Sequence, residues 1–177
     1  MLKNDEIDFD LVKRWITVCK TEHDSKCDGH ETDNTPAKRL IDVDSSCIVD
    51  CSTVKEYLTL SYVWGMAAQF MLTKDVVEDS RNKGFFESLG TKIPQSIRDA
   101  MQVCRNIGVR HLRVDALCIV QDDDEDKKDQ IGLMDEIYGH CKELYGEYFQ
   151  PRRHYNTRRF RTLHLTRIGS EGVTIRR

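Results

Sequence analysis

Polar and titratable side chains gather at two places in the sequence. Asp115, Gln121, Glu125 and Asp126 follow one another closely, and Ser61, Tyr62 and Trp64 stand together at the end of a separate apolar run. Carboxylates, an amide, hydroxyls and an indole at one sheet end could line a pocket for a polar ligand, with Trp64 as a stacking wall. In open α/β sheets such pockets form outside the carboxyl ends of strands. A plainer account competes. Asp115 lies in an apolar stretch, where a lone carboxylate is costly unless paired. Arg98 or a backbone amide would serve, and for Asp115 this pairing is the weightier reading. Trp64 equally suits a core position better than a ligand platform.

Two further groupings could do chemistry. Asp122 to Asp126 offers the oxygen ligands that hard cations take. It lacks the glycine and spacing of a calcium-binding helix–loop–helix, and an acidic helix start that complements the helix dipole explains it more simply. Cys19, His23, Cys27 and His30 are residue types that zinc uses. Their spacing is not that of a common zinc module, so packed thiols and imidazoles are expected and no metal. Cys118 with His111 or His140 could make a nucleophile pair, but a thiol inside an apolar strand is usually inert.

The elements that must position these groups can be read from periodicity. Residues 5–21 predict a helix with Ile7, Leu11, Trp15 and Val18 on one face and Asp5 or Asp8 as the cap. Residues 24–37 read as a loop. Arg39–Val43 and the SSCIVDCS stretch predict a hairpin through Asp44–Ser46. Tyr57–Gly65 predicts a strand closed by Gly65. Phe70–Thr73 reads as a short strand end, Lys74–Asn82 as a short helix and Gly84–Lys92 as a loop. Pro94 opens a helix with Ile97, Ala100, Met101, Cys104 and Ile107 as its stripe, stopped by Gly108. Leu112–Val120 predicts a buried strand, followed by an amphipathic helix carrying Ile131, Met134, Ile137 and Tyr138. Helix, glycine, strand, acidic turn and helix in sequence is the rhythm of an α/β domain with a parallel sheet.

Composition bounds these readings. The chain has 177 residues, 39% hydrophobic and 32% charged, which suits one ordinary domain. No apolar run approaches the roughly 20 residues of a spanning helix, so no membrane role is expected. The acidic start MLKNDEIDFD lacks an apolar signal core, and the seven cysteines are odd in number and scattered, so a reduced, cytoplasmic protein is expected. The net charge of −3 hides a split: residues 142–177 carry nine Lys and Arg against three Asp and Glu. A basic tail with Tyr155 and Phe160 could bind nucleic acid. It contains no recognisable module, and a solvated, unstructured tail is expected instead.

Five segments, in order, resemble the fungal heterokaryon incompatibility (HET) domain: RLIDV at Arg39–Val43, LSYVWG at Leu60–Gly65, IPQSIRDAM at Ile93–Met101, VDALCIVQDD at Val114–Asp123 and QIGLMDEIY at Gln130–Tyr138. Trp15 with Cys19, His23 and Cys27 resembles the lead-in often found before that domain. The resemblance divides the chain into a lead-in over 1–37, a domain core over 38–141 and a divergent basic tail over 142–177. It implies an intracellular protein of non-self recognition and programmed cell death, acting through protein partners or self-association. It also implies a TIR/flavodoxin-like core. Some TIR domains cleave NAD with a glutamate on a helix after a core strand. That position matches Asp126, with Glu125 adjacent, so these two are the candidate catalytic residues and NAD a candidate substrate. No cofactor is implied.

The sequence departs from the family pattern in places. Arg113 stands where the family usually has tryptophan, Val120 where it has asparagine, and Asp126 where it has glutamate. After Tyr138 the family's apolar strand is not evident. A change of reading frame near Cys141 would account for this, and the sheet would then be incomplete at its C-terminal end with an unpaired edge.

Overall fold

The computed structural model describes residues 7–22, 36–52, 54, 56–62, 69–139, 164–167 and 173–176. Helix α1 spans Phe9–Glu22. Its first turn is closed by Asp8, whose Oδ1 accepts from the amides of Asp10 and Leu11 at 3.1 and 2.9 Å. The helix buries Val12 and leaves Val18 40% exposed, so its inward face is rotated from the predicted one. Ile7 and Trp15 of the predicted stripe pack on the core, joined there by Phe9 and Ile16 beside Val12.

Strands β1 (Arg39–Asp42) and β2 (Cys47–Asp50) form the predicted antiparallel hairpin. Asp42 organises its turn: Oδ1 accepts from the amides of Asp44 and Ser45, each at 3.0 Å. Ser46 takes a positive φ of 53° to complete it. Strands β3 (Leu58–Leu60) and β4 (His111–Val114) complete a four-stranded sheet of order β2-β1-β4-β3. β3 and β4 are adjacent and parallel, as the two apolar runs predict. β1 runs antiparallel to both β2 and β4, so the sheet is mixed and not the predicted parallel one. The hairpin is the reason: a tight turn can only join antiparallel strands, and docking it on β4 fixes the sense of half the sheet.

Helix α2 (Phe85–Ser88) and a 3₁₀ turn at Gly90–Lys92 lie in a segment read as loop. Burial of Phe86 and edge-on packing of Phe85 against Phe70, centroids 5.7 Å apart, order it. Conversely, Lys74–Asn82 contains only turns and a 3₁₀ helix at Asp79–Arg81, and Phe70–Thr73 is not a strand. Helix α3 (Gln95–Ile107) has Pro94 as its cap and ends at Gly108, whose φ of 82° is the left-handed conformation that glycine alone adopts freely.

The largest correction concerns β4. The apolar run Leu112–Val120 is a strand only to Val114. It then coils into the single turn α4 (Asp115–Cys118) before extending again. An uninterrupted apolar run cannot by itself distinguish a buried strand from a buried helical turn. Helices α5 (Asp124–Gly132) and α6 (Met134–Gly139) follow where one helix is predicted. Ile131 is 55% exposed, whereas Asp126 and Gln130 are buried. The face of α5 toward the sheet is therefore polar.

Helices cover both sheet faces. On one, Ile41, Leu112 and Val114 meet Val12 of α1 and Ile97, Ala100, Met101 and Cys104 of α3. On the other, Leu40 and Tyr57 meet Ile137 of α6, and the Tyr57 hydroxyl donates to the Ile137 carbonyl at 2.5 Å. Side chains alternate along a strand, so Arg113 must face opposite to Leu112 and Val114. It therefore points toward α5 and α6. Within the basic tail, expected to be unstructured, β5 (His164–Arg167) and β6 (Val173–Arg176) pair antiparallel as a separate two-stranded sheet. No helix among the described residues is long and apolar enough to cross a membrane.

Candidate functional site

The polar residues singled out from sequence fall into two places. The first is the carboxyl end of the parallel pair. Leu60 and Val114 are the last register partners, so Ser61 and Asp115 come next on neighbouring chains. Tyr62 follows, and its hydroxyl donates to Gln69 Oε1 at 3.3 Å. Burial raises the Tyr62 phenol above its ordinary value, and the Asp115 charge adds to the effect. Ser61, Tyr62 and Asp115 are thus brought together as expected. Trp64 lies outside the described residues, as do His23, Cys27 and His30.

Asp115 has neither of its expected partners. Arg98 is spent elsewhere, its Nη1 donating to the carbonyls of Gly90 (3.0 Å) and Ile93. The counter-charge is Arg113, two residues back, with Nε 3.5 Å from Asp115 Oδ1. Asp115 Oδ2 accepts from the Tyr138 hydroxyl at 3.4 Å. The intervening Val114 faces the other core, so Arg113 and Asp115 emerge on one side and can meet. Gln121 is turned inward: its Nε2 donates to the carbonyls of Asp115 and Ile119, each at 3.1 Å, and so fastens α4 in place. Through these bonds it positions the turn.

The second place lies under α5. Asp123 caps the helix by accepting from the amides of Glu125 and Asp126. Asp126 then points inward, where it accepts from Arg39 Nη2, from Lys38 Nζ at 3.3 Å and from the Val120 amide at 2.9 Å. One turn on, Gln130 Oε1 accepts from Arg113 Nη1 (2.9 Å) and the Lys38 amide (3.1 Å), while its Nε2 donates to the Pro36 carbonyl at 3.3 Å. Residues four apart share a helix face, so Asp126 and Gln130 dock α5 on the sheet as a pair. Glu125 is exposed on another side of the helix. The two candidate carboxylates are therefore not brought together. Asp126 is an ion-pair anchor, with both carboxylate oxygens engaged by the chain's own donors.

Desolvation alone would raise the Asp126 carboxyl, but the hydrogen bonds from Arg39 and the Val120 amide prevail and hold it below the ordinary range. In Asp42, desolvation is likewise outweighed by the hydrogen bond from Arg110. A carboxyl with a lowered folded pKa binds fewer protons than its unfolded form, so its stabilisation is full above the unfolded value of about 4 and fades as pH falls through the folded one. The thermal midpoint should therefore hold above about pH 5 and decline progressively below about pH 4. Asp42→Asn should shrink that decline. A midpoint flat from pH 7 to 2 would show these pairs to be inert.

Sequence reasoning missed Arg113, Lys38, Arg39, Gln130, Gln69 and Tyr138 as members of these networks. One signal was available for Arg113, a lone cation within an apolar strand. Among the described residues, no group of three or more His, Cys, Asp or Glu side chains could hold a metal ion. Cys118 is fully buried, its Sγ accepting from the Val114 amide at 3.4 Å, and burial raises its thiol. That environment suits packing, not nucleophilic attack.

A family model described as "Heterokaryon incompatibility protein (HET)" matches residues 57–171, more than half of the chain. The match continues past Tyr138, where the resemblance visible in the sequence stops. No curated protein and no solved structure matches the chain.

Proposed function

Because the chain belongs to the heterokaryon incompatibility (HET) family, we propose that it is a cytoplasmic signalling module of fungal non-self recognition, which triggers programmed cell death by self-association or contact with a protein partner. The family match carries this reading. The engagement of Asp126 with Arg39, Lys38 and the Val120 amide supports signalling by contact over NAD cleavage through Glu125 or Asp126. Helices on both faces of the sheet, with a parallel pair at its centre and edge, support a TIR/flavodoxin-like ancestry for the core.

Induced expression of the chain in a filamentous fungus should cause loss of viability, scored by vital-dye uptake. The purified chain incubated with NAD should release no nicotinamide. Vigorous growth under verified expression would contradict the signalling role. Nicotinamide release abolished by Glu125→Ala would replace it with an enzymatic one.

A further inference from the structure

Helix α5 is held to the sheet without burying an apolar side chain. Ile131 is its one apolar residue apart from glycine, and it is 55% exposed. Helix α3, by contrast, buries Ile97, Ala100, Met101, Val103, Cys104 and Ile107. What docks α5 is polar: Asp126 on Arg39, Lys38 and the Val120 amide, and Gln130 on Arg113, the Lys38 amide and the Pro36 carbonyl. Asp129 adds a second ion pair to Lys38 at 3.0 Å. Opening returns both members of each pair to water, so these bonds resist it less than buried apolar surface would. The closed form also carries a cost. Arg113 has its side chain 0% exposed, and its Nε and Nη2 donate no hydrogen bond. Lifting α5 takes Gln130 off the guanidinium and lets water reach it.

The segments on either side of α5 are fastened differently. Before it, the Gln121 amide donates to the Leu72 carbonyl at 2.7 Å, and Asp122 Oδ1 accepts from the Lys74 amide at 2.9 Å. After it, Ile137 of α6 is fully buried with Leu40 and Tyr57, and its carbonyl accepts from the Tyr57 hydroxyl. Helix α5 therefore spans two fixed points, with a break at Leu133 between it and α6. We propose that α5 is a polar latch, which opens as a unit while the sheet, α3 and α6 stay folded, and which in opening releases Lys38, Arg39 and Arg113. The closed latch spends Asp126 and Asp129 on Lys38 and Arg39, and so withholds these cations from any other acidic group. The device rests on the docking of α5 alone and not on cell-death signalling, so either can fail without the other.

The test is amide hydrogen exchange of the full-length, ¹⁵N-labelled chain in low concentrations of urea. Two amides far from α5 in sequence or outside it report on docking: Lys38 N–H is held by Gln130 Oε1 and Val120 N–H by Asp126 Oδ2. Both should open together with residues 128–132 of α5, at least about a hundredfold more often than residues 100–104 of α3. That shared opening should respond only weakly to urea, because it exposes little surface, whereas opening of α3 should respond steeply. Asp126→Asn should speed exchange of Lys38 and of residues 128–132 by one common factor of about ten or more, although Asp126 bonds to none of those amides. Protection of α5 equal to that of α3 overturns the proposal. So does fraying of α5 while Lys38 and Val120 stay as protected as α3, or exchange at Lys38 that Asp126→Asn leaves unchanged.

Discussion

Asp126→Ala is expected to destabilise the fold by about 3–5 kcal/mol, the usual consequence of stripping a buried charge of its partner. Asp126 and Arg39 have side chains only 8% and 11% exposed, so the loss leaves a guanidinium enclosed beside an unpaired Val120 amide. Arg39 Nε keeps its bond to the Cys118 carbonyl at 3.0 Å, which holds the cation in place and does not let it swing to solvent. The bridge to Lys38 adds little, because Lys38 is 44% exposed and screened. Helix α5 buries no large apolar side chain, so nothing else holds it as strongly. The thermal midpoint should drop on the order of 10 °C. Glu125→Ala, its neighbour, should stay within about 0.5 kcal/mol of the parent. Equal midpoints for Asp126→Ala and the parent would refute the anchoring role and reopen a catalytic one.

Asp115→Ala should cost about 3 kcal/mol, at the lower end because the carboxylate keeps some contact with water. The cost comes from Arg113, which is fully enclosed and would lose its only counter-charge among the described residues. Arg113→Met should cost less, since the partly exposed Asp115 keeps the Tyr138 hydroxyl. Gln130 Oε1 would still accept from the Lys38 amide. The double variant should recover much of the loss, because the unpaired charge is gone. A double-mutant cycle by denaturant unfolding measures this directly: a coupling energy of about 1–3 kcal/mol is expected, and strictly additive effects would rule the pair out.

The sequence alone determined which segments are elements wherever local physics is strong. The hairpin at Arg39–Asp50 was legible because two apolar runs flank a turn rich in Asp and Ser. Helix α3 was legible because Pro94 and Gly108 bracket a regular stripe. The adjacency of β3 and β4 followed from two apolar runs joined by a long connection with a helix. The family was legible from five segments in order, none decisive alone.

Tertiary structure alone decided the partners. Arg113 follows Leu112 in the chain, yet strand alternation sends the two to opposite faces. Only the placement of α5 shows that Gln130 waits there and that Asp115 comes round to meet the guanidinium. Asp126 and Glu125 are neighbours in sequence, but a helix turns about 100° per residue, so one is an anchor and the other is solvent-exposed. The break of Leu112–Val120 into strand and turn, and the ordering of Phe85–Ser88, likewise depend on what packs against them. Composition and period report how much apolar surface a segment must hide. They do not report which polar group will be waiting where it is hidden.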